Sequence, residues 1–252
     1  MKVYVINLDR HPDRLAHMRK QLGDIAFERV DAVDGTKTPG TIKGLTRFEL
    51  ACVESHRKAW RLFLNGPAEH ACFLEDDIHL WPDFAALVQS ESWIPADAHS
   101  VKLDTYLQKV KLGERRTAFG DRQVARLYTR HESSAAYALS RAGAERYLEL
   151  TARPSLPADY SLFPKNPRRL GLRIYQLAPA VAIQDHLLRA EDGGQTFATA
   201  MTGGRSAQAR HLLAVSKIWR EGARLVDHAA EAREAIYLRA FLKPETTTIG
   251  VG

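Results

Sequence analysis

The sequence predicts an α/β protein, in which a sheet with antiparallel additions is flanked by helices and followed by a helical C-terminal extension. Three observations support this prediction. Near the start of the chain, short apolar runs alternate with amphipathic segments in the order strand, helix, strand. Further along, strand-like runs follow one another with fewer helices between them, which is typical of antiparallel strands. From Arg205 to Phe241, apolar residues recur at near-helical spacing with almost no turn residues.

The first unit of this pattern is a strand, a helix and a second strand. Lys2 to Leu8 is a short apolar run typical of a buried strand. Pro12 suits the first turn of the amphipathic helix that follows, and Gly23 is its expected stop. Phe27 to Val33 is predicted to be the second strand, and a polar loop over roughly residues 35–45 follows it.

The second helix has the clearest boundary signals. Thr46 and Glu49 have the spacing of a capping box, in which each side chain satisfies a backbone N–H group at the helix start. The helix is expected to stop at Gly66-Pro67. The next apolar run, Ala71 to Leu74, is short and follows a turn signal, which predicts a buried strand.

The later elements are shorter and less regular. We predict helices at about Pro82–Gln89 and Ser140–Leu150, and strands at Ser100–Leu103, Val124–Tyr128, Ala135–Leu139, Arg173–Leu177 and Val181–Ile183. The strands that start at Val124 and Ala135 are expected to pair. Residues 108–123 are charged and interrupted by glycine, so we expect a loop there. Pro154 to Pro167 is expected to be irregular, and Pro244 to Gly252 to be disordered.

The composition of the 252 residues is that of an ordinary globular protein, with 45% hydrophobic and 26% charged residues. A net charge of +6 favours an anionic partner such as a nucleotide diphosphate, an anionic lipid surface or nucleic acid. Nucleic acid is not expected, because no run of Lys and Arg is interleaved with aromatic residues.

The start of the chain and its cysteines predict a cytoplasmic protein. The first residues become polar too quickly for a signal peptide, and no apolar stretch is long enough to span a membrane. Cys52 and Cys72 lie in apolar surroundings, so we expect reduced core residues rather than a disulfide or a metal pair.

We expect residues 1–200 to form one domain and residues 205–243 to form a basic helical segment. That segment holds eight Lys and Arg against four Asp and Glu. Packing on the preceding domain is the favoured interpretation. A dimer contact, or peripheral binding to the anionic inner face of the cell membrane, is the alternative.

The most chemically specific stretch is Glu75-Asp76-Asp77, directly after the apolar run that ends at Leu74. Adjacent carboxylates repel one another unless a cation lies among them, and divalent ions with oxygen ligands suit this role. In extended backbone Glu75 and Asp77 point to one side and Asp76 to the other. Taken alone, the triplet fits a metal site at a strand end and a solvated acidic turn equally well.

Three stretches follow one another in a specific order and spacing: Asn7-Leu8-Asp9-Arg10 with Asp13-Arg14, the capped helix from Leu45 to Ser55-His56, and Phe73 to Asp77. Together they resemble glycosyltransferase family 25, which includes lipopolysaccharide, lipooligosaccharide and collagen galactosyltransferases. Lys102-Leu103 and Ala136 to Ala144 are similar to later blocks of the family, so the resemblance covers roughly residues 1–185. Ala51 departs from the pattern, because the family more often has glycine there.

This resemblance implies a GT-A-like sheet that binds a nucleotide sugar, typically UDP-galactose, together with Mn²⁺ or Mg²⁺. It implies inverting transfer of a hexose, galactose in most members, to a cell-surface glycan acceptor such as lipooligosaccharide. Asp77 is the first choice for a direct metal ligand, with Glu75 and Asp76 beside it. Asp185 or His186, after the last strand, would complete the metal shell.

The expected donor-binding residues follow the first strands and the capped helix. Nucleotide and diphosphate contacts are natural roles for a strand-end amide and an arginine pair. A helix cap at Asp9 and a solvated arginine face are the alternative, and the match to the family pattern favours the functional role. Ser55 and His56 are expected to contact or support the donor, against the alternative of satisfied core residues. The candidates are Asn7, Asp9, Arg10, Arg14, Asp31 or Asp34, Ser55, His56 and Lys102.

An inverting transfer needs a base for the acceptor hydroxyl. Asp159, in the irregular Pro-rich segment, is the first candidate, and Glu132, just before a predicted strand, is the second. Ordinary loop polarity is the alternative for each. Two other functions stay open. A non-catalytic binding domain is disfavoured by the intact triplet, and a sugar nucleotidyltransferase is disfavoured because Asn7 to Arg10 contains no glycine for a phosphate loop.

Overall fold

The computed structural model describes residues 1–38, 44–188 and 244–251. Its strands are β1 Lys2–Asn7, β2 Phe27–Asp31, β3 His70–Glu75, β4 Ile78–Leu80, β5 Ser100–Lys102, β6 Asp104–Thr105, β7 Lys109–Phe119, β8 Arg122–Leu127, β9 Ala136–Ser140, β10 Ile174–Ala178, β11 Ala182–Gln184 and β12 Glu245–Thr248. Its α-helices are α1 Pro12–Leu22, α2 Arg47–Leu64, α3 Phe84–Gln89, α4 Arg141–Leu150, α5 Ala158–Leu162 and α6 Asp185–Leu188, with a 3₁₀ turn at Pro167–Leu170.

Within these residues, nine strands form the main sheet in the order β12-β7-β8-β10-β5-β9-β3-β1-β2. The five strands β2, β1, β3, β5 and β10 run in the same direction, and β9 lies antiparallel between β3 and β5. Ile6 lies opposite Glu75, and Asn7 lies opposite Asp31. The carboxyl ends of these parallel strands and the start of β9 therefore meet at one edge of the sheet.

Both faces of the central strands are covered. Alternate residues enter two separate cores, with Val3 and Val5 in the core that includes α1 and α3, and Tyr4 in the core that includes α2 and α4. In the second core, Phe73 stacks between Tyr4 and Tyr137, with ring centroids 5.4 and 5.3 Å apart. Burial on both faces explains why β1 and β3 are continuous apolar runs instead of alternating ones.

The predicted α/β class is confirmed, and so are the starts of the first elements, although β2 ends at Asp31, two residues before the predicted Val33. α1 starts at Pro12, and the chain turns away at Gly23 with a φ of 55°. The capping box of α2 is formed, because Glu49 N donates to Thr46 Oγ1 (3.2 Å) and Thr46 N donates to Glu49 Oε2 (2.9 Å). These contacts are local in the chain, which is why the sequence indicates them.

The loop expected at residues 108–123 was wrong, because this stretch is the long strand β7 and the start of β8. Val110 and Leu112 are buried, whereas residues 114–117 are exposed, so both faces of the strand are solvated there. The alternating apolar pattern that indicates a strand is therefore short. The expected pairing of the strands near Val124 and Ala135 was also wrong, since β8 pairs with β7 and β10, and β9 pairs with β3 and β5.

The C-terminal residues expected to be disordered instead form β12, which pairs antiparallel with β7. The strand is followed by Ile249, which is 2% exposed and whose carbonyl accepts from Thr105 Oγ1 (2.6 Å). Ile249 follows three threonines, and this short pattern does not indicate from the sequence alone that the segment packs against the sheet. The predicted helical segment 205–243 and the domain boundary at residue 200 lie outside the described residues and stay predictions. None of the helices that the structure describes combines the length and apolar character needed to cross a membrane.

Gly143 in α4 is a point of close backbone contact. A Cβ atom there would lie 2.0 Å from the carbonyl oxygen of His99 and 2.7 Å from its carbonyl carbon. We expect Gly143→Ala to lower the free energy of unfolding by about 2–3 kcal/mol, because the overpacking outweighs the better helix propensity of alanine. Urea denaturation measures this change.

Gly66→Ala is the matched control, because its Cβ would meet only Phe63 O at 3.5 Å. A loss at Gly143 no larger than that at Gly66 would contradict the close contact.

Candidate active site

A cavity of about 390 Å³ lies at the edge where the parallel strands end. The ends of β1 and β3, the N-terminal half of α2, the turn before β9, the start of α5 and the end of β11 all contribute to its wall. Its polar lining residues are Arg10, His11, Arg14, Cys52, Ser55, His56, Glu75, Asp76, Asp77, Tyr106, Glu132, Ser133, Ser134, Asp159, Gln184 and His186. Most residues predicted from the sequence therefore meet in one place.

Glu75 and Asp77 share one side of the acidic triplet. β3 ends at Glu75, and Asp76-Asp77 form the turn into β4. The amide Nε2 of Gln184 lies 3.5 Å from Glu75 Oε2 and 3.4 Å from Asp77 Oδ1, so one donor joins both carboxylates. Glu75 Oε1 also accepts from Ser134 Oγ (2.7 Å). Protein side chains thus hold the carboxylates of the triplet in place, which a solvated acidic turn would not require.

Asp76 is held on the other side by protein donors. Its two carboxylate oxygens accept from Asn7 Nδ2 (2.7 Å) and Arg14 Nη1 (2.9 Å). Arg14 also lies 3.6 Å from Asp77. With its oxygens occupied by Asn7 and Arg14, Asp76 fits a supporting role better than that of a direct ligand.

The carboxylates differ in their electrostatic environments. Burial, and then the charge of Glu75, raise the pKa of Asp77 to about 7. Burial also acts to raise the pKa of Glu75, but hydrogen bonds from His56 and Ser134 and the charge of Lys102 bring it below its ordinary value. Arg14, 3.6 Å from Asp77, compensates its charge only in part, and a divalent cation with oxygen ligands would supply the remainder.

His186 lies in the wall of the cavity, as predicted for a late ligand. Its Nδ1 is one of the few buried side-chain atoms in the described residues that have no hydrogen-bond partner. Burial lowers its pKa, which favours the neutral imidazole that binds metals. The neighbouring Asp185 is buried and instead contacts His79 Nε2 (2.7 Å). Of the two late candidates, only His186 lines the cavity.

The arginine candidates lie in the cavity, whereas Asp9 and Asp31 do not line it. Asp9 and Asp31 both form ion pairs with Arg29, which also donates to Asn7 Oδ1 (3.0 Å). Arg29 was missed from the sequence because it lies inside a strand rather than at its end. Arg10 forms an ion pair with Asp34 and lowers the pKa of that carboxyl.

Ser55 and His56 both line the cavity and have protein partners. Ser55 Oγ donates to Ala51 O (2.7 Å) and accepts from Val33 N (2.8 Å), which fixes the chain after β2. His56 bridges Tyr137 OH (2.7 Å from Nδ1) and Glu75 Oε1 (3.2 Å from Nε2).

Lys102 lies outside the cavity wall and is fully buried. Its Nζ donates to Asp104 Oδ1 (2.7 Å) and to Ser133 O (2.5 Å). Ser133 has a φ of 75°, a conformation that costs energy for a residue with a side chain. Lys102 therefore supports the turn that presents Ser134 to Glu75. Ser134 itself was missed, because a serine before a strand has no distinctive pattern.

Both candidate bases line the cavity. Asp159 is in the first turn of α5, which packs against α2. Glu132 precedes the turn that leads into β9. The Pro-rich segment around Asp159, expected to be irregular, contains this short helix.

Comparisons with known proteins agree with the sequence patterns. Residues 1–162 match the profile of glycosyltransferase family 25 (LPS biosynthesis protein). No curated protein gives a significant match. Among solved structures, A197 from STIV is 14% identical with a TM-score of 0.37, covering 72% of this chain and 83% of that one.

Two further structures have similarly low scores. The inositol-1-phosphate CTP transferase from T. maritima is 9% identical with a TM-score of 0.38, covering 73% of this chain and 70% of that chain. A mutant of Drosophila β1,4-galactosyltransferase 7, in complex with manganese, UDP-Gal and xylobiose, is 8% identical with a TM-score of 0.36. The coverage is 80% of this chain and 76% of that chain.

The raised pKa of Asp77 predicts an unusual stability change. At pH values above about 7 the buried charge costs stability, and the cost disappears as the folded state takes up a proton between pH 7 and the ordinary value of 3.8. We expect Asp77→Asn to raise the free energy of unfolding by about 2 kcal/mol at about pH 8, and by little near pH 4. Urea denaturation in the presence of chelator measures both values.

Asp76→Asn is the control, because it removes one charge from the neighbouring residue. We expect it to lower stability by about 1–3 kcal/mol, since Arg14 and Asn7 lose a charged acceptor. Equal changes for the two variants would contradict the difference between the two environments.

Proposed function

Because the chain belongs to glycosyltransferase family 25, we propose that it transfers a hexose, with galactose our first expectation, from a UDP-sugar to a cell-surface glycan such as lipooligosaccharide. We further propose that the reaction inverts the anomeric carbon and depends on a divalent metal ion. The observation that supports this most directly is the cavity at the strand ends. It combines a set of acidic metal ligands with two arginines and two candidate bases.

Asp77, Glu75 and His186 are the residues that would hold Mn²⁺ or Mg²⁺. The fit rests on the ligand chemistry, because oxygen and imidazole groups suit Mn²⁺, and because burial and then the charge of Glu75 raise the pKa of Asp77. When bound, the ion neutralises the charge that develops on the diphosphate leaving group. Asp76 supports the proposed metal ligands beside it, because its contacts with Arg14 and Asn7 hold the triplet in place.

The arginines give the cavity its affinity for anions. Arg14 is mostly buried and faces Asp76 and Asp77, and Arg10 forms an ion pair with Asp34 beside the cavity. Guanidinium groups bind phosphate oxygens through several charge-assisted hydrogen bonds. We therefore place the diphosphate of the donor in the cavity beside these arginines and the triplet, where Ser55 and His56 also contribute to the wall.

Asp159 is our first candidate for the base that accepts the proton of the acceptor hydroxyl, and Glu132 is the second. Each lines the cavity from a different segment, so each would approach the sugar from a different direction. In an inverting transfer the base lies on the side opposite the leaving group, which is the physical criterion that separates the two residues.

The donor and the metal are tested by UDP release. With Mn²⁺ present, we expect turnover of UDP-galactose, or of another UDP-hexose found by a thermal-shift screen of UDP-, GDP- and CMP-sugars. Chelator should abolish it, and Asp77→Asn should lower kcat by about 100-fold or more, on the scale of losing an electrostatic contact in the transition state. Retained UDP binding without turnover of any donor would instead identify a non-catalytic binding domain.

The two candidate bases are separated by matched amide variants. We expect Asp159→Asn to reduce kcat by about 10²- to 10⁴-fold while the Kd for UDP changes little, because a base acts in the chemical step. Glu132→Gln should change kcat much less. The reverse order of effects would transfer the role to Glu132.

A further inference from the structure

The apolar neighbours of Cys52 in the sequence indicated a core residue, but this prediction was wrong. Cys52 lies in the wall of the cavity. It is half-buried, whereas Cys72 is fully buried in β3. Cys52 and His56 are four residues apart on α2, so they lie on one face of the helix. Glu75, at the end of β3, faces them from the sheet.

These three side chains place three different ligand atoms together. The thiol of Cys52, a ring nitrogen of His56 and a carboxylate oxygen of Glu75 all lie within 4.8 Å of one another. His56 Nε2 and Glu75 Oε1 are already 3.2 Å apart, close to the separation that two ligands have on one Zn²⁺ ion. With Zn–S bonds of about 2.3 Å and Zn–N bonds of about 2.0–2.1 Å, a small side-chain rotation of Cys52 would complete the site.

The surroundings of His56 suit a metal ligand. Its Nδ1 lies 2.7 Å from Tyr137 OH, and Tyr137 OH accepts from Trp60 Nε1 (2.9 Å). Both aromatic residues are fully buried, so they fix the ring with Nε2 directed at Glu75. Histidine ligands in metal sites have a partner of this kind on the other ring nitrogen.

We propose that Cys52, His56 and Glu75 form a binding site for Zn²⁺. This site differs from the proposed Mn²⁺ or Mg²⁺ site, although Glu75 belongs to both. The thiolate of Cys52 selects the softer ion, whereas Asp77, Glu75 and His186 offer no sulfur and suit the harder one. Binding forms an S–Zn bond and releases the proton of the Cys52 thiol to solvent. Three protein ligands leave a fourth position open to the cavity, for water.

Charge supports this assignment, because the carboxylates of Glu75, Asp159 and Asp77 lie near the Cys52 thiol and attract a divalent cation. A thiolate, a neutral imidazole and a carboxylate together carry two negative charges, which match those of the ion. Because both ions need Glu75, occupancy by Zn²⁺ would exclude Glu75 from the proposed donor-metal site.

Cobalt substitution tests the site without any assay of activity. Titrating the full, metal-free chain with Co²⁺ should produce a sulfur-to-cobalt charge-transfer band, which Zn²⁺ removes and excess Mg²⁺ does not. The chain has two cysteines, so such a band arises from Cys52 or Cys72. We expect Cys52→Ala to abolish the band. It should also weaken Zn²⁺ binding by at least about tenfold, because even the loss of a residue that only supports a metal ligand weakens binding by about that much.

Cys72→Ala is the matched control and should keep the band, because its sulfur is in the core on the strand. Circular dichroism checks that each variant folds, and Cys52→Ser replaces Cys52→Ala if the alanine variant does not. The proposal is overturned if the wild-type chain shows no charge-transfer band. It is equally overturned if the band survives in the folded Cys52 variant, or if Mg²⁺ displaces Co²⁺ as readily as Zn²⁺ does.

Discussion

Mutual repulsion among carboxylates at the end of one strand is the constraint on which this structure depends. Three consecutive acidic residues can be brought to the edge of a buried sheet only if fixed donors surround them. Those donors come from distant segments: Asn7 at the end of β1, Arg14 in α1, Ser134 before β9, and Gln184 at the end of β11. The parallel strands bring these segments to one edge of the sheet. The electrostatic stability of the site therefore depends on the sheet topology.

The aromatic core connects this edge to the interior. Tyr137 stacks on Phe73 within the sheet, while its hydroxyl contacts His56 and Trp60 on α2. A single buried side chain therefore positions both the helix and the imidazole next to Glu75. Packing in the second core and the geometry of the cavity wall are coupled through this hydroxyl, and the core residues near it are part of the support of the site.

Sequence reasoning succeeded where the controlling interactions are local. The Thr46–Glu49 cap spans three residues, and the strand-to-turn change at Glu75 follows directly from the apolar run. It failed where the partners are distant. Ser134 is 59 residues from Glu75, and Gln184 is 109 residues from it. Neither residue type marks a site by itself, because its role arises only from the topology that carries it to the edge.

Strand β12 changes how the C-terminal part of the chain is understood. Residues 245–248 return to the sheet as β12 and cover the outer edge of β7. Cutting the chain after α6 would also remove β12 and leave a row of unpaired N–H and C=O groups on β7. A protein shortened in this way would present a new pairing surface to its own copies, with self-association as the physical result.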